Sequence, residues 1–263
     1  MLWVCFSRKA LEPEISKTTG LKHLMRVLWY RDHGRPPWAR RFFIALIGIV
    51  FVLPVALILI FRIIVPPPTP LMIGTSFSGV SVNRDWVPLN AMSTDLVKAV
   101  IASEDGKFCS HNGFDWEAIQ DALEYNSRGQ NIRGASTISQ QTAKNLFLPP
   151  ARTWIRKGIE AYLTVLLEAL WPKKRIMESY LNIVELGDGN FGVESAAQNY
   201  FGKSAAELNR TEAARLAAVL PNPRRYRVVT PGDYVIRRTN QIVNMMGGVT
   251  RDRLDSCITL ITP

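Results

Sequence analysis

The chain has 263 residues, 47% of them hydrophobic, and a formal net charge of +10. That length holds one domain of ordinary size plus a membrane anchor, with enough apolar material for a sizeable core. The charge calls for an anionic partner, but residues 1–41 alone hold nine basic and three acidic side chains, so most of the excess flanks a hydrophobic segment and nucleic acid need not be invoked.

In chain order, residues 1–41 read as a basic cytoplasmic segment and residues 42–65 as a transmembrane helix. Phe42 to Phe61 is twenty residues without a charge, about 30 Å of helix, the thickness of the hydrocarbon core. Pro54 should kink this helix without breaking it. Arg40 and Arg41 place the N-terminus on the cytoplasmic side and everything beyond Val65 on the other. A cleaved signal peptide is the competing reading, but a small-x-small cleavage site should then follow, and Pro66-Pro67-Pro68 follows instead. Residues 66–92 read as linker and lead-in, with Phe77, Val80, Val82 and Trp86 forming a short strand or lying on the lipid surface.

From Thr94 the pattern is helices with short breaks, so the domain over residues 93–246 should be mainly α. Ser93-Thr94-Asp95 caps a first helix, and a second starts at Asp115. A third follows Gly134 with Ser136 as N-cap. A fourth covers about 153–170, with Ile155, Ile159, Tyr162, Leu163, Leu166 and Leu170 as its buried stripe. Others are expected near 173–185, 192–201, 211–220 and 233–246, and residues 247–263 form a tail. Of three cysteines, Cys109 reads as a buried or idle thiol. Pairing with Cys257 is the alternative in an extracytoplasmic domain, disfavoured because Cys257 lies in the tail.

Four polar constellations interrupt this plan. Glu104-Asp105 closes an apolar helical run and precedes Phe108, His111, Gly113 and Asp115. A carboxylate at a helix C-terminus, buried against Phe108, has a raised pKa and suits a general base; the bland reading is a solvated helix end. His111 reads as a satisfied structural histidine, because no second ligand stands at metal spacing. In the second, Ser136, Gln140 and Lys144 recur every four residues on one helix face, fit for sugar hydroxyls and a phosphate, or else plain surface. In the third, Arg152, Arg156 and Lys157 surround Glu160, leaving positive charge suited to a diphosphate, or else forming ordinary helix ion pairs. In the fourth, Tyr180-Leu181-Asn182 reads as packing plus a buried amide, followed by glycines that permit a tight turn.

Together these residues resemble the peptidoglycan glycosyltransferase family, in its monofunctional biosynthetic transglycosylase branch. Glu104-Asp105-x-x-Phe108-x-x-His111-x-Gly113-x-Asp115 is similar to its first motif, and Gly134 to Gln141 with Lys144-Asn145 to its second. Arg156-Lys157-x-x-Glu160 resembles the third, Tyr180-Leu181-Asn182 the fourth, and Ala214-x-Leu216-Ala217-x-x-Leu220-Pro221-x-Pro223 a fifth. Departures are mild: Ala135 stands where many relatives have Gly, Ser139 where many have Thr, and Met177 where Leu is frequent. No transpeptidase segment follows, in keeping with the monofunctional branch.

The resemblance implies a lysozyme-like helical domain with a small membrane-proximal lobe, periplasmic at the bacterial inner membrane, that polymerises lipid II into β-1,4-linked glycan with inversion. It implies Glu104 as the base, Lys144 and Arg152 on the leaving diphosphate with Arg156 and Lys157 nearby, Glu160 orienting them or acting directly, and Ser136 and Gln140 along the sugar cleft. Asp105, Phe108, His111 and Asn182 are expected in support. No cofactor is required, although some relatives use a divalent cation such as magnesium or manganese, which Asp105 would help to hold. Expected partners are lipid II, the growing glycan strand, membrane lipid and other cell-wall synthesis or division proteins. Leu146 to Pro150 with Trp154 should dip into lipid. The rivals are a lytic enzyme that cuts glycan and a non-catalytic assembly scaffold.

Overall fold

A computed structural model describes residues 37–129, 134–151, 153–187 and 189–258. The basic segment before Pro37 and the residue Arg152 lie outside them. Trp38–Phe61 is helical throughout and apolar enough to cross a membrane. Helix α1 (Pro37–Ile47) passes through a five-residue π-helix, Gly48–Val52, into α2 (Leu53–Phe61). Pro54 explains the irregularity: it has no N–H, and its ring crowds the carbonyl four residues earlier. The widened turn, in which the Leu53 N–H reaches the Gly48 carbonyl, absorbs that misfit.

The chain divides at Leu53 into two units, and everything below belongs to the second, from Pro54 onward. It is helical, with two isolated β-bridges and no longer strand among the described residues. The segment expected as a linker is partly built into the domain. Helix α3 (Pro70–Phe77) starts on Thr69, whose hydroxyl accepts the Met72 N–H at 3.3 Å, and Met72 is buried. Asn83 then bridges to the 189–191 turn through its N–H to Gly189 O and its carbonyl from the Phe191 N–H, both 2.9 Å. Gly189 has φ +76°, and a Cβ there would lie 2.0 Å from Ser81 O, so only glycine admits this approach.

Helix α4 (Thr94–Glu104) ends at the candidate base. Helix α5 (Trp116–Ser127) is capped by Asp115 and buries only Ala122. Helices α6 (Ile138–Phe147), α7 (Trp154–Leu170) and α8 (Lys173–Ile183) form one packed group, and α9 (Val193–Phe201) follows. Helix α10 (Arg210–Val219) and α11 (Asp233–Arg251) pack on each other and on α4. Ala213, Ala214, Ala217 and Ala218 are all buried; such small side chains let α10 approach its neighbours closely.

Three expectations need correction. The expected stripe of α7 is turned at its start: Ile155 is 79% exposed, while Glu160, Leu163, Thr164 and Leu167 face inward. Glu160 goes inside because cations answer it there, and Thr164 donates to its backbone carbonyl at 2.7 Å. Second, Thr137, not Ser136, caps α6, with Gln140 completing the capping box. Third, residues 247–258 of the expected tail belong to the domain: α11 runs on to Arg251, Val249 and Ile258 are buried, and Cys257 forms a disulfide with Cys109 at a Cα separation of 5.4 Å.

Candidate active site

Glu104, the last residue of α4, stands half-buried on a cleft of about 490 Å³ that Ser103, Asp105, Ser136, Thr137, Arg238 and Met245 help to line. Burial pushes its pKa above the usual carboxylate range, against the pull of the Gln141 hydrogen bond, Arg238 and Lys144, and with a smaller push from Asp105. Gln141 Nε2 donates to Glu104 Oε2 at 2.8 Å, and the Tyr180 hydroxyl donates to Gln141 Oε1 at 3.4 Å. Burial holds the Tyr180 pKa well above its ordinary value, so the hydroxyl remains a donor and orients the amide with its NH2 toward Glu104. Gln141→Leu removes a donor that favours the ionised carboxylate. The acid limb of the kcat/KM profile should therefore move up by about one to two pH units, from a charged hydrogen bond worth ~1.5–3 kcal/mol. A pH–rate series on the variant checks this.

The neighbouring carboxylate has a different task. Asp105 is buried and accepts from His111 Nε2 at 2.9 and 3.0 Å and from the Ile138 N–H at 2.9 Å. His111 Nδ1 accepts the Gly113 N–H at 3.1 Å, which leaves the proton on Nε2. Thr137 Oγ1 donates to Gly113 O at 2.6 Å. Lys173 donates to the His111 carbonyl and to Glu168, both at 2.7 Å, and lies 4.6 Å over the Phe108 ring. The loop after Glu104 is thereby fastened to the start of α6 and to α8. Both carboxylate oxygens of Asp105 are engaged in this fastening. Groups of three or more His, Cys, Asp or Glu disposed to hold an ion are absent among the described residues.

Gln140 is 4% exposed, and its side-chain oxygen receives the Thr137 N–H at 3.0 Å; the structure places it in the cap, while Ser136 lies exposed on the cleft. Asn182 is buried and pairs with Val87 in both directions at 2.9 Å.

Lys144 lies one turn beyond Gln141 on α6. Burial lowers its pKa, the Glu160 carboxylate opposes that, Arg156 and Lys157 lower it further, and Glu104 raises it. Glu160, 2% exposed, pairs with Lys157 and, at 3.6 Å, with Arg156 Nη1. Lys144, Arg156, Leu71 and Pro149 line a second cleft of about 400 Å³. The Arg156 Nε is buried without an acceptor, so this cation cluster keeps donor capacity to spare.

Arg238, Gln141 and Tyr180 were not legible as site residues. Arg238 Nη2 donates to Ser103 O at 3.2 Å across 135 residues of sequence, and nothing local marks it. Gln141 stood inside a recognised motif, and its three-residue spacing from Lys144 was an available sign. Of the loop expected to dip into lipid, Leu146 is buried and Phe147 stacks on Phe61 with centroids 6.1 Å apart, while Pro149, Pro150 and Trp154 are exposed. Phe147→Asp would thus disturb packing. Trp154 and Ile155 are 92% and 79% exposed.

A half-buried carboxylate at the end of α4, Lys144 one turn beyond its amide partner on α6, and Arg156 and Lys157 on α7 make up the site. Residues 72–247 match the family described as Transglycosylase, and the chain belongs to that family. It is 49% identical over 219 residues to the biosynthetic peptidoglycan transglycosylase of Caulobacter vibrioides, covering 83% of this chain and 96% of that one. It is 51% identical over 224 residues to the protein of the same name from Rhodospirillum centenum, covering 85% and 96%. With that of Aeromonas hydrophila the identity is 57% over 166 residues, covering 63% and 71%.

Proposed function

We propose that the protein polymerises lipid-linked peptidoglycan precursor, with its N-terminus cytoplasmic and its catalytic domain on the periplasmic side of the bacterial inner membrane. The sugar hydroxyl of the acceptor attacks the anomeric carbon of the donor strand, and Glu104 accepts the hydroxyl proton. The bond to the lipid diphosphate breaks with inversion, giving a β-1,4 link. Gln141 keeps Glu104 ionised enough to act, while burial keeps it basic enough to take the proton. Lys144 and Arg156, backed by Lys157 and with Arg152 in the same motif, receive the negative charge of the departing diphosphate. Glu160 holds those cations in place. No step here is routed through a metal.

The observation that carries this reading is the surplus of positive charge around a single buried carboxylate, with Arg156 Nε unpaired, on the helices that also hold Glu104's partner. A lytic enzyme has no use for it. Purified protein in detergent, given lipid-linked disaccharide-pentapeptide, should release lipid diphosphate and yield polymer. Shortening of finished strands, or no product, would sink the proposal. Lys144→Met should lower kcat/KM about a hundredfold, the cost of one lost charge-stabilising donor, measured by polymer yield against time.

A further inference from the structure

A helix leaves its last four carbonyls without partners inside the helix. At the C-terminal end of the apolar helix, carbonyls of the last turn and of the turn just past it are met by Trp171, which follows α7, and by Arg175 on α8, with Ile58 O also taking the Arg62 N–H. Ile58 O accepts from Trp171 Nε1 at 2.7 Å. Phe61 O accepts from Arg175 Nε at 3.1 Å and from Nη2 at 2.7 Å, and Ile64 O accepts from Nη2 at 2.6 Å. In return, Arg62 Nη1 donates at 2.9 Å to Leu170 O, the last carbonyl of α7. The Arg175 guanidinium lies 5.2 and 5.6 Å from the Trp86 and Trp171 ring centres and is paired with Glu178.

Holding a protein to a membrane requires none of this, because a flexible tether anchors equally well. Several charge-assisted bonds to one helix end cost side-chain freedom and are intelligible only if direction matters. Their other ends lie on the elements that carry the site: α7 bears Arg156 and Glu160, and the same helix end stacks Phe61 on Phe147 at the close of α6, which bears Gln141 and Lys144.

We propose that Arg175, assisted by Trp171, is a positioning residue that locks the end of the membrane helix to α7 and α8 and so sets the height and tilt at which the site meets a substrate whose lipid tail stays in the bilayer. The proposal rests on the function put forward above. Misplacement of reacting groups by about 1 Å can cost a hundredfold in rate, so a joint that slackens should be costly only where the bilayer fixes the substrate. In a micelle, enzyme and substrate reorient together.

Two variants test it: Arg175→Met, which keeps the apolar stem and loses the donors, and Trp171→Phe, which loses only the N–H to Ile58. Each is assayed with lipid-linked disaccharide-pentapeptide in phosphatidylethanolamine–phosphatidylglycerol vesicles and again in detergent. Arg175→Met should lose about tenfold in kcat/KM in vesicles and less than about twofold in detergent, with Trp171→Phe following at about threefold in vesicles. Unchanged activity in both media overturns the proposal, and so does an equal loss in both, which marks a merely structural side chain. Should Arg175→Met not fold, the ratio for Trp171→Phe decides by the same criteria. If the wild type makes no polymer in either medium, the catalytic reading itself falls and this proposal with it.

Discussion

Glu104→Gln is expected to lower polymerisation about a thousandfold, the scale of losing a general base, while leaving the fold intact. Glutamine is isosteric and can still face Gln141, but it has no basic oxygen to take the acceptor's proton. The stability readout separates this from simple damage. The pKa of Glu104 is raised on folding by burial, so the native state binds more protons than the unfolded chain between the two pKa values. Stability from this group is then greatest below the unfolded pKa and declines as pH rises through the folded one. At neutral pH the ionised side chain is a burden that the amide removes, so the variant should melt at or above the wild-type temperature. A dead variant that also melts well below wild type would point to a structural role for Glu104. The wild type's own kcat/KM should fall on the acid side at a pH above that of an ordinary carboxylate, as protonation removes the base.

Breaking the Cys109–Cys257 disulfide, by Cys109→Ala with Cys257→Ala or by reductant, should cost about 2–5 kcal/mol of stability, or about 5–15 °C in melting temperature. The two cysteines are 148 residues apart, and a cross-link closing so long a loop removes much freedom from the unfolded chain. Activity should fall as well, because Cys109 follows Phe108 directly and stands five residues after Glu104, within the loop that Asp105 and His111 fasten. Thermal melts with and without reductant give the test: the double variant should be insensitive to reductant, and the wild type should shift. Equal melting temperatures under both conditions would show that the covalent link contributes nothing.

The helical plan could be read from the sequence because its signals are local. The helix start at Asp115 and the helices expected near 173–185 and 192–201 are set by residues within one or two turns of each other. The Glu104 motif and the Arg156-Lys157-Glu160 cluster were legible for the same reason, since helical spacing brings i, i+3 and i+4 together. What escaped depends on contacts between distant segments. Arg238 reaches Ser103 from the other end of the domain, and Cys257 meets Cys109 only after α11 has returned to α4. Thr137 displaced Ser136 as cap by a single residue, which pattern alone rarely resolves. The stripe of α7 misled because hydrophobic period marks apolar side chains without saying what covers them, and Ile155 and Ile159 stay outside the protein core while the paired Glu160 goes in.

The cleft at Glu104 has unequal sides. One is α4, clasped between α10 and α11. The other includes Asp115 and Ala118 at the start of α5, a helix that buries a single alanine. So little apolar contact gives that side a small local free energy of opening. The groove therefore has a stiff jaw and a yielding one, with Glu104 and Gln141 both held on the side away from α5.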